Sequence, residues 1–451
     1  MTQTLPGGLL LAFYGDDFTG STATLEALAF AGLKSVLLFE VPDEKLLESF
    51  SDCQAIGIAG LSRSKTPDWM EENLPPVFER LKKVRPCLTH YKICSTFDSA
   101  AHVGSIGKAV ELGSGIFEND WTPVFTAVPS LKRWQVFGNL FAGAQGQIYR
   151  IDRHPAMMHH PVTPIREADL RLHLGEQTNW KVGLVDIADL KTGHTEAKIL
   201  HETSEGARIL LVDGIDDETM AAAGRLMWEG RTVRPFVAGS QGVEYALIAW
   251  WRQVGLLKPE HPIASLTKVD RIAAVSGSCS PVTARQIDHA AACGVATIAL
   301  NTHCVVDERA WKGELDRAAQ LARKALSEGG DCLIYSAKGP DDPEVSLLKN
   351  AIANMGESQE EMSLQIGSGL GVVLSNLARD MKLPRIVISG GDSSGQACTA
   401  MGLTAVTALA PLAPGAPLCR ATSRHTHLDG IEIALKGGQM GGEDFFVAAK
   451  G

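Results

Sequence analysis

Short apolar runs that end in Gly, Asp or Ser and then give way to helical spacing recur along the whole chain. The first runs from Leu9 to Tyr14, is closed by Gly15-Asp16-Asp17, and is followed by a helical stretch from Ser21 to Ala31. Alternation of this kind predicts strands and helices taking turns, with the strands largely parallel. Further strand candidates are Ser35 to Glu40, Ala55 to Gly60, Leu88 to Ile93, Thr122 to Ala127, Val182 to Asp186, Ile209 to Asp213 and Pro235 to Gly239. Several end in Asp, Ser or Gly, as expected where loops leave the carboxyl edge of a sheet and build a site.

Between Gly255 and Asp270 the periodicity lapses in a polar stretch carrying Pro259 and Pro262, which predicts a linker over 256–270. The pattern then restarts: strand Ile272 to Ser276, helix Pro281 to Cys293, strand Thr297 to Leu300, helix Arg309 to Gly329 and strand Cys332 to Ser336. A helix from Glu361 to Met381, strand Arg385 to Ser389 and a helix after Gly395 complete it. The expected fold is α/β in two domains, 1–255 and 271–451, each a largely parallel or mixed sheet flanked by helices, with an interdomain cleft. A length of 451 residues agrees with two cores rather than one.

Composition narrows the function classes. With 45% hydrophobic and 21% charged residues the chain is an ordinary folded protein. A formal net charge of −10 argues against nucleic acid or anionic lipid as a partner, so any anion must be met locally. The 9 cysteines form no CxxC pair, which suits reduced thiols in the cytoplasm. Leu9 to Tyr14 lacks a basic segment ahead of it, and no run approaches the ~20 apolar residues of a membrane span. The expected partner is a small anionic substrate, and a homodimer is expected only because twofold oligomers are common.

The most informative local feature is Asp16-Asp17, set directly after an apolar strand and before Thr19-Gly20-Ser21-Thr22. Carboxylates there can accept a substrate hydroxyl proton or hold a cation, and the helix start offers amide donors to an anion. Helix capping alone would need one Asp, and two adjacent ones favour a functional role. Lys92, with Ser95 and Thr96, ends another strand with a cation beside two hydroxyls. Ser62-Arg63 follows a third, where a guanidinium could fork onto a carboxylate. Read singly, the first is as readily a solvated strand end, and the second is more readily a solvated loop.

In the second half, Ser276-Gly277-Ser278-Cys279-Ser280-Pro281 joins a strand to a helix with small residues that let backbone amides approach a phosphate. Gly390-Gly391-Asp392-Ser393-Ser394-Gly395 repeats the arrangement. Neither is a Walker A or GxGxxG sequence, but two such loops favour a nucleotide phosphate cradle. Gly367-Ser368-Gly369-Leu370-Gly371 has no strand before it and reads as close helix packing. Asp152, His154, His159 and His160 lack helical pairing and make a weak metal site, better read as a polar loop lining a substrate cleft. The metal ligands stay open.

Together these motifs resemble the four-carbon acid sugar kinase family, two-domain enzymes that phosphorylate tetronates and related oxo-acids with ATP. The matching segments, spread over nearly the whole chain, are YGDDFTGST, Ser62-Arg63, YKICST, HPVTP, AGSQG, SGSCSPVTARQI, SGGDSSG and LKGGQMGGEDFF. The resemblance implies acid-sugar binding by the first domain and ATP binding by the second. Ser278, Ser280, Gly390, Gly391, Asp392, Ser393, Gly438 and Gly441 would surround the nucleotide, and Mg2+ would bridge its phosphates. Asp16 or Asp17 would take the proton of the attacking hydroxyl, and Thr19, Arg63, Lys92, Ser95 and Thr96 would hold the substrate.

Two departures bear on the substrate. Where the family commonly reads Asp-Ser-Thr-Leu-Arg-Gly, this chain has Cys94-Ser95-Thr96-Phe97-Asp98-Ser99, losing an arginine and gaining a carboxylate. The Pro-Ala-Phe-Pro and Gly-Arg segment is altered to Thr126-Ala127-Val128-Pro129-Ser130-Leu131-Lys132-Arg133. These imply a branch acting on a different oxo-acid sugar, such as 3-oxo-isoapionate. The competing readings are a non-catalytic sensor of the same fold and an unrelated α/β dehydrogenase or isomerase. Retention of Asp16-Asp17 disfavours the first, and the lack of GxGxxG after the first strand disfavours the second.

Overall fold

A computed structural model describes residues 4–144, 146–258 and 263–451. In chain order the first strands are β1 (Leu11–Gly15), β2 (Ser35–Leu38), β3 (Ala55–Ala59), β4 (Leu88–Lys92) and β5 (Thr122–Phe125). A small hairpin sheet follows, of β6 (Arg133–Val136), β7 (Asn139–Ala144) and β8 (Gln147–Arg150). Then come β9 (Lys181–Val185), β10 (Ala207–Val212) and β11 (Phe236–Gly239).

The chain divides into two units. The first takes in the chain up to Asp17, Ala27–Ser35 and the run from Val41 to the linker region. Its sheet has the order β3-β1-β4-β11-β5-β10-β9 with every pairing parallel. Strands buried on both faces need continuous apolar sequence, which is why β1 reads LAFYG and β3 AIGIA. Tyr14 and Tyr91 stack at 6.0 Å between their ring centroids and meet Phe78 edge-on. The registers align Ala59, Gly15, Lys92 and Gly239 across neighbouring strands, so the loops after β3, β1, β4 and β11 leave from one line at the carboxyl edge.

The second unit takes in Phe18–Glu26, Val36–Glu40 and the chain after the linker. Its strands are β12 (Ala273–Ser276), β13 (Ala296–Ala299), β14 (Cys332–Tyr335), β15 (Arg385–Ser389), β16 (Leu403–Ala413), β17 (Ala416–Ser423) and β18 (Glu432–Lys436). The order β13-β14-β12-β15-β18 is parallel, and β17, β16 and β2 continue it antiparallel. Here Ser276, Ser389 and Lys436 share one register line, so three glycine-rich loops open side by side.

An uninterrupted first domain over 1–255 does not anticipate this division. Phe18–Glu26 groups with the second unit because Thr22 Oγ1 donates to Gly415 O at 2.9 Å and Gly415 N donates to Glu26, while β2 pairs with β16. The linker stretch has no regular structure among its described residues, yet Arg385 Nη2 reaches Thr267 O at 2.7 Å and Val269 N reaches Lys450 O at 2.9 Å.

The helix expected after Gly395 starts earlier, at Asp392, and runs to Ala400. Gly390, at φ 153, makes the turn, and Gly395 lies inside the helix because a larger residue would press on the Phe18 ring. Helix Gln359–Met381 packs on it, and a Cβ on Gly371 would collide with the Ala397 carbonyl oxygen. The glycines of that segment serve helix packing, as read from the sequence.

Candidate functional site

Asp16 and Asp17 occupy the step between the end of β1 and the helix Phe18–Phe30. Asp16 is 2% exposed and is gripped by Arg63, whose Nε donates to Oδ2 at 3.1 Å and Nη2 to Oδ1 at 2.6 Å. Arg63 Nη2 also lies 2.7 Å from Asp17 Oδ1, and Lys92 Nζ stands 3.8 Å from that same oxygen. The backbone reinforces the grip: Arg63 N donates to Asp16 O and Asp16 N to Lys92 O, both at 2.9 Å. Burial pushes the Asp16 carboxyl up, opposed by the charge of Arg63. Burial also works against the Arg63 cation, but Asp16 and Asp17 together hold it well above its ordinary value.

The loop after β4 continues this cluster. Cys94 Sγ lies 2.9 Å from Thr96 Oγ1, and Thr96 Oγ1 donates to Asp98 Oδ1 at 2.6 Å. Burial raises the Cys94 thiol, with Asp98 adding to the effect and Arg63 and Lys92 opposing it. Ser95 is half-buried beside them. Asp16, Asp17, Arg63, Lys92 and Thr96 are therefore brought together in the first unit. Thr19, two residues beyond Asp17, groups with the second unit, where its Oγ1 would lie 3.3 Å from a Cβ on Gly437.

In the second unit the three loops interlock. Ser280 caps helix Pro281–Ala292 by accepting from Thr283 N at 3.0 Å, and its hydroxyl donates to Gly438 O. Thr283 Oγ1 bonds Ser278 Oγ at 3.1 Å and Gly438 O at 3.0 Å. A Cβ on Gly438 would collide with Ser278 Oγ, and one on Gly277 with Ser393 Oγ. Gln286 Nε2 gathers the carbonyls of Met440, Gly441 and Gly442 at 2.9, 3.2 and 2.8 Å. Gly390 and Gly391 lead into helix Asp392–Ala400, which has no side-chain cap on its first amides. Ser278, Ser280, Gly390, Gly391, Asp392, Ser393, Gly438 and Gly441 thus lie on one set of adjoining loops, where helix starts and small residues suit phosphate.

The histidine-rich loop forms no metal centre. His154 Nδ1 accepts from Ala156 N and Met157 N, His160 Nδ1 accepts from Thr163 N, and Asp152 is bound by Arg150. Among the described residues no group of three or more His, Cys, Asp or Glu could hold a metal ion. Two further residues stand in segments noted in the sequence but were given no role there. Lys436, 0% exposed, ends β18 beneath the Gly438 loop, and Arg133 begins β6, exchanging backbone hydrogen bonds with Val128 just past β5. A lysine closing the apolar run EIAL ahead of two glycines was a usable signal for the first, and the altered segment Thr126 to Arg133 was one for the second.

Parallel strands feeding a carboxylate and cation cluster in one unit, and glycine-rich helix starts in the other, define a two-unit α/β enzyme of small anions. A family model described as a sugar-binding N-terminal domain matches residues 11–247, and one described as a nucleotide-binding C-terminal domain matches 273–446. The chain belongs to the four-carbon acid sugar kinase family. A 3-oxo-isoapionate kinase of Paraburkholderia graminis is 44% identical over 98% of this chain and 94% of that protein. A 3-oxo-tetronate kinase of Cupriavidus necator is 28% identical over 98% of this chain and 97% of its own length. A crystal structure from Salmonella typhimurium LT2 superposes with a TM-score of 0.76 at 22% identity, covering 98% of both chains, and so shares the fold. The chain is an ATP-dependent acid sugar kinase. No described helix is long and apolar enough to cross a membrane.

Proposed function

We propose that the chain transfers the γ-phosphoryl group of ATP to a hydroxyl of a branched 3-oxo sugar acid of the 3-oxo-isoapionate type. The single observation that carries this choice of acid is the gap in similarity, 44% to the 3-oxo-isoapionate kinase against 28% to the 3-oxo-tetronate kinase at equal coverage of this chain. The first unit would hold the acid and the second the nucleotide. Asp17 is the proposed base: both Asp16 oxygens are engaged by Arg63, whereas the Asp17 side chain is 16% exposed against 3% for Asp16. Asp17 takes the proton as the acceptor oxygen forms its bond to phosphorus, and the bond to ADP breaks. Lys92, Ser95 and Thr96 would hold the acid's oxygens, with Arg63 fixing the carboxylate pair.

Mg2+ is part of the proposal. It keeps several waters and takes one or two carboxylates plus phosphate oxygens, and Asp392, exposed in the first turn after Gly390-Gly391, is the carboxylate that would join it. Bound there, the ion would neutralise phosphate charge. Nine unpaired cysteines support a reducing, cytoplasmic setting, and a homodimer is proposed from the prevalence of twofold assemblies alone.

The test is coupled ADP release with 3-oxo-isoapionate, 3-oxo-tetronate and the tetronates, beside Asp17→Asn. Turnover greatest on the branched acid is expected. Measurable ATP binding with no ADP release on any acid would show a sensor instead.

A further inference from the structure

Arg133 stands apart from the other cations of the acid site. Arg63 spends its fork on Asp16 and Asp17, and Lys92 faces Asp17. The Arg133 guanidinium is anchored by one nitrogen only: Nη1 donates to Leu131 O at 3.2 Å, Lys132 O at 3.0 Å and Gly143 O at 3.3 Å. Its Nε is buried with no hydrogen-bond partner, and the Nε–Nη2 edge carries no carboxylate among the described residues. That edge is the one through which a guanidinium binds a carboxylate with two parallel donors, as Arg63 does with Asp16.

The setting of this edge is specific. Val128, just past the end of β5, exchanges backbone hydrogen bonds with Arg133 at 3.0 and 3.1 Å, and β11 alone separates β5 from β4, so Arg133 lies at the carboxyl edge that also carries Lys92, with the Asp98 carboxylate favouring its charge. Lys132 adopts φ 58 immediately before it, and Phe97, fully buried, adopts φ 62 immediately before Asp98. Bulky residues in the left-handed region are costly and gather at ligand sites. A buried donor left unpaired is likewise costly unless something comes to fill it.

We propose that the Nε–Nη2 edge of Arg133 is the subsite for the substrate's carboxylate. This rests on the acid sugar kinase reading and adds the residue that recognises the acid as an acid. The hydroxyl to be phosphorylated would turn toward Asp17, with the anionic end held at β6. Lys cannot reproduce the fork, so charge alone would not replace it.

The probes are isoapionate, erythronate and threonate, each paired with its neutral carboxamide and titrated calorimetrically into the full chain without nucleotide. The wild type is expected to bind at least one acid tenfold or more tighter than its amide. Arg133→Gln should erase that gap by weakening the acid alone, and Arg133→Lys should restore only part of it. Should Arg133→Gln fail to fold, Arg133→Lys still reads the gap. The proposal is overturned if the variants keep the wild-type gap, if acid and amide weaken equally, or if the wild type binds no acid preferentially. Preferential acid binding without ADP release would remove the kinase reading and leave this one standing. ADP release that survives Arg133→Gln with KM for the acid unchanged does the reverse.

Discussion

Lys436 offers the most demanding test of the nucleotide loops. It is 0% exposed, donates to Gly437 O at 3.0 Å and Thr283 Oγ1 at 3.3 Å, and lies 5.7 and 5.9 Å from the ring centres of Phe445 and Phe446. Burial lowers its pKa from 10.5 to about 7. At ~1.4 kcal/mol per unit, a shift of roughly 3.5 units sets an upper limit of about 5 kcal/mol on the cost of charging it in the fold. The unfolded chain binds this proton more tightly, so stability should rise with pH from about 7 to about 10.5 and be flat below that window. Lys436→Met should lack this component, which comparative melting of the two proteins across the window would measure. A phosphate arriving beside the ammonium would favour its charged form. At pH 8 the free lysine would be only about one-tenth protonated, so ADP binding should take up close to one proton. Calorimetry of ADP binding in two buffers of different ionisation enthalpy counts that proton. No uptake by the wild type, or equal uptake by Lys436→Met, would refute the reasoning.

Asp17→Asn should lower kcat on the order of 10² to 10⁴-fold while leaving acid binding nearly intact; calorimetry beside ADP release separates the two. Asp16→Asn, which loosens Arg63 from a buried pair, should instead lower the melting temperature as well as activity. Asp213 accepts from Phe137 N at 2.5 Å, Gly138 N at 3.1 Å and Gln135 Nε2 at 3.3 Å, and burial raises its pKa from 3.8 to about 6. The fold then holds this proton more tightly, so up to about 3 kcal/mol of stability should be lost as pH rises from about 4 to about 6. Asp213→Asn should flatten that part of the profile in thermal melts, and parallel profiles would contradict it. Gly371→Ala, driven against the Ala397 carbonyl oxygen, should cost about 1–3 kcal/mol in denaturant unfolding, and a neutral result would mean the two helices can part.

Much of the parallel framework was legible because strands buried on both faces must be written in unbroken apolar runs. Leu11–Gly15, Ala55–Ala59, Leu88–Lys92 and Arg385–Ser389 all fall within a residue or two of where the pattern put them. The antiparallel additions were not. β16 and β17 alternate small residues whose hairpin partner lies in the same stretch, and β6 to β8 are short strands with one or both faces partly exposed. Their turn chemistry is also partly disguised, since Lys132 and Phe137 take left-handed conformations without being Gly or Asn, although Gly138 beside Phe137 follows the usual preference. The carboxylate and cation cluster was readable because its members each end a strand in a loop of the same edge. The division between units was not readable there: Asp17 groups with the first unit and Thr19, two residues on, with the second.

The electrostatics of the first unit explain why a third cation matters. Asp16 and Asp17 carry two negative charges and Arg63 and Lys92 two positive ones, so this cluster is balanced before a substrate arrives. A carboxylate entering it would meet repulsion from Asp17 as readily as attraction from Lys92. A neutral hydroxyl suffers no such conflict and gains an acceptor in Asp17, so the balanced cluster favours the end of the acid that is to be phosphorylated. The anionic end is better met where donors are unspent. Asp98 does not consume the Arg133 edge: among the described residues the Arg133 side chain bonds only carbonyls, through Nη1, and Asp98 accepts from Thr96 Oγ1 at 2.6 Å. Orientation of the substrate then follows from charge: exchanging Arg133 for a neutral residue removes the reason for the acid to lie hydroxyl-first against Asp17, and should cost binding before it costs chemistry.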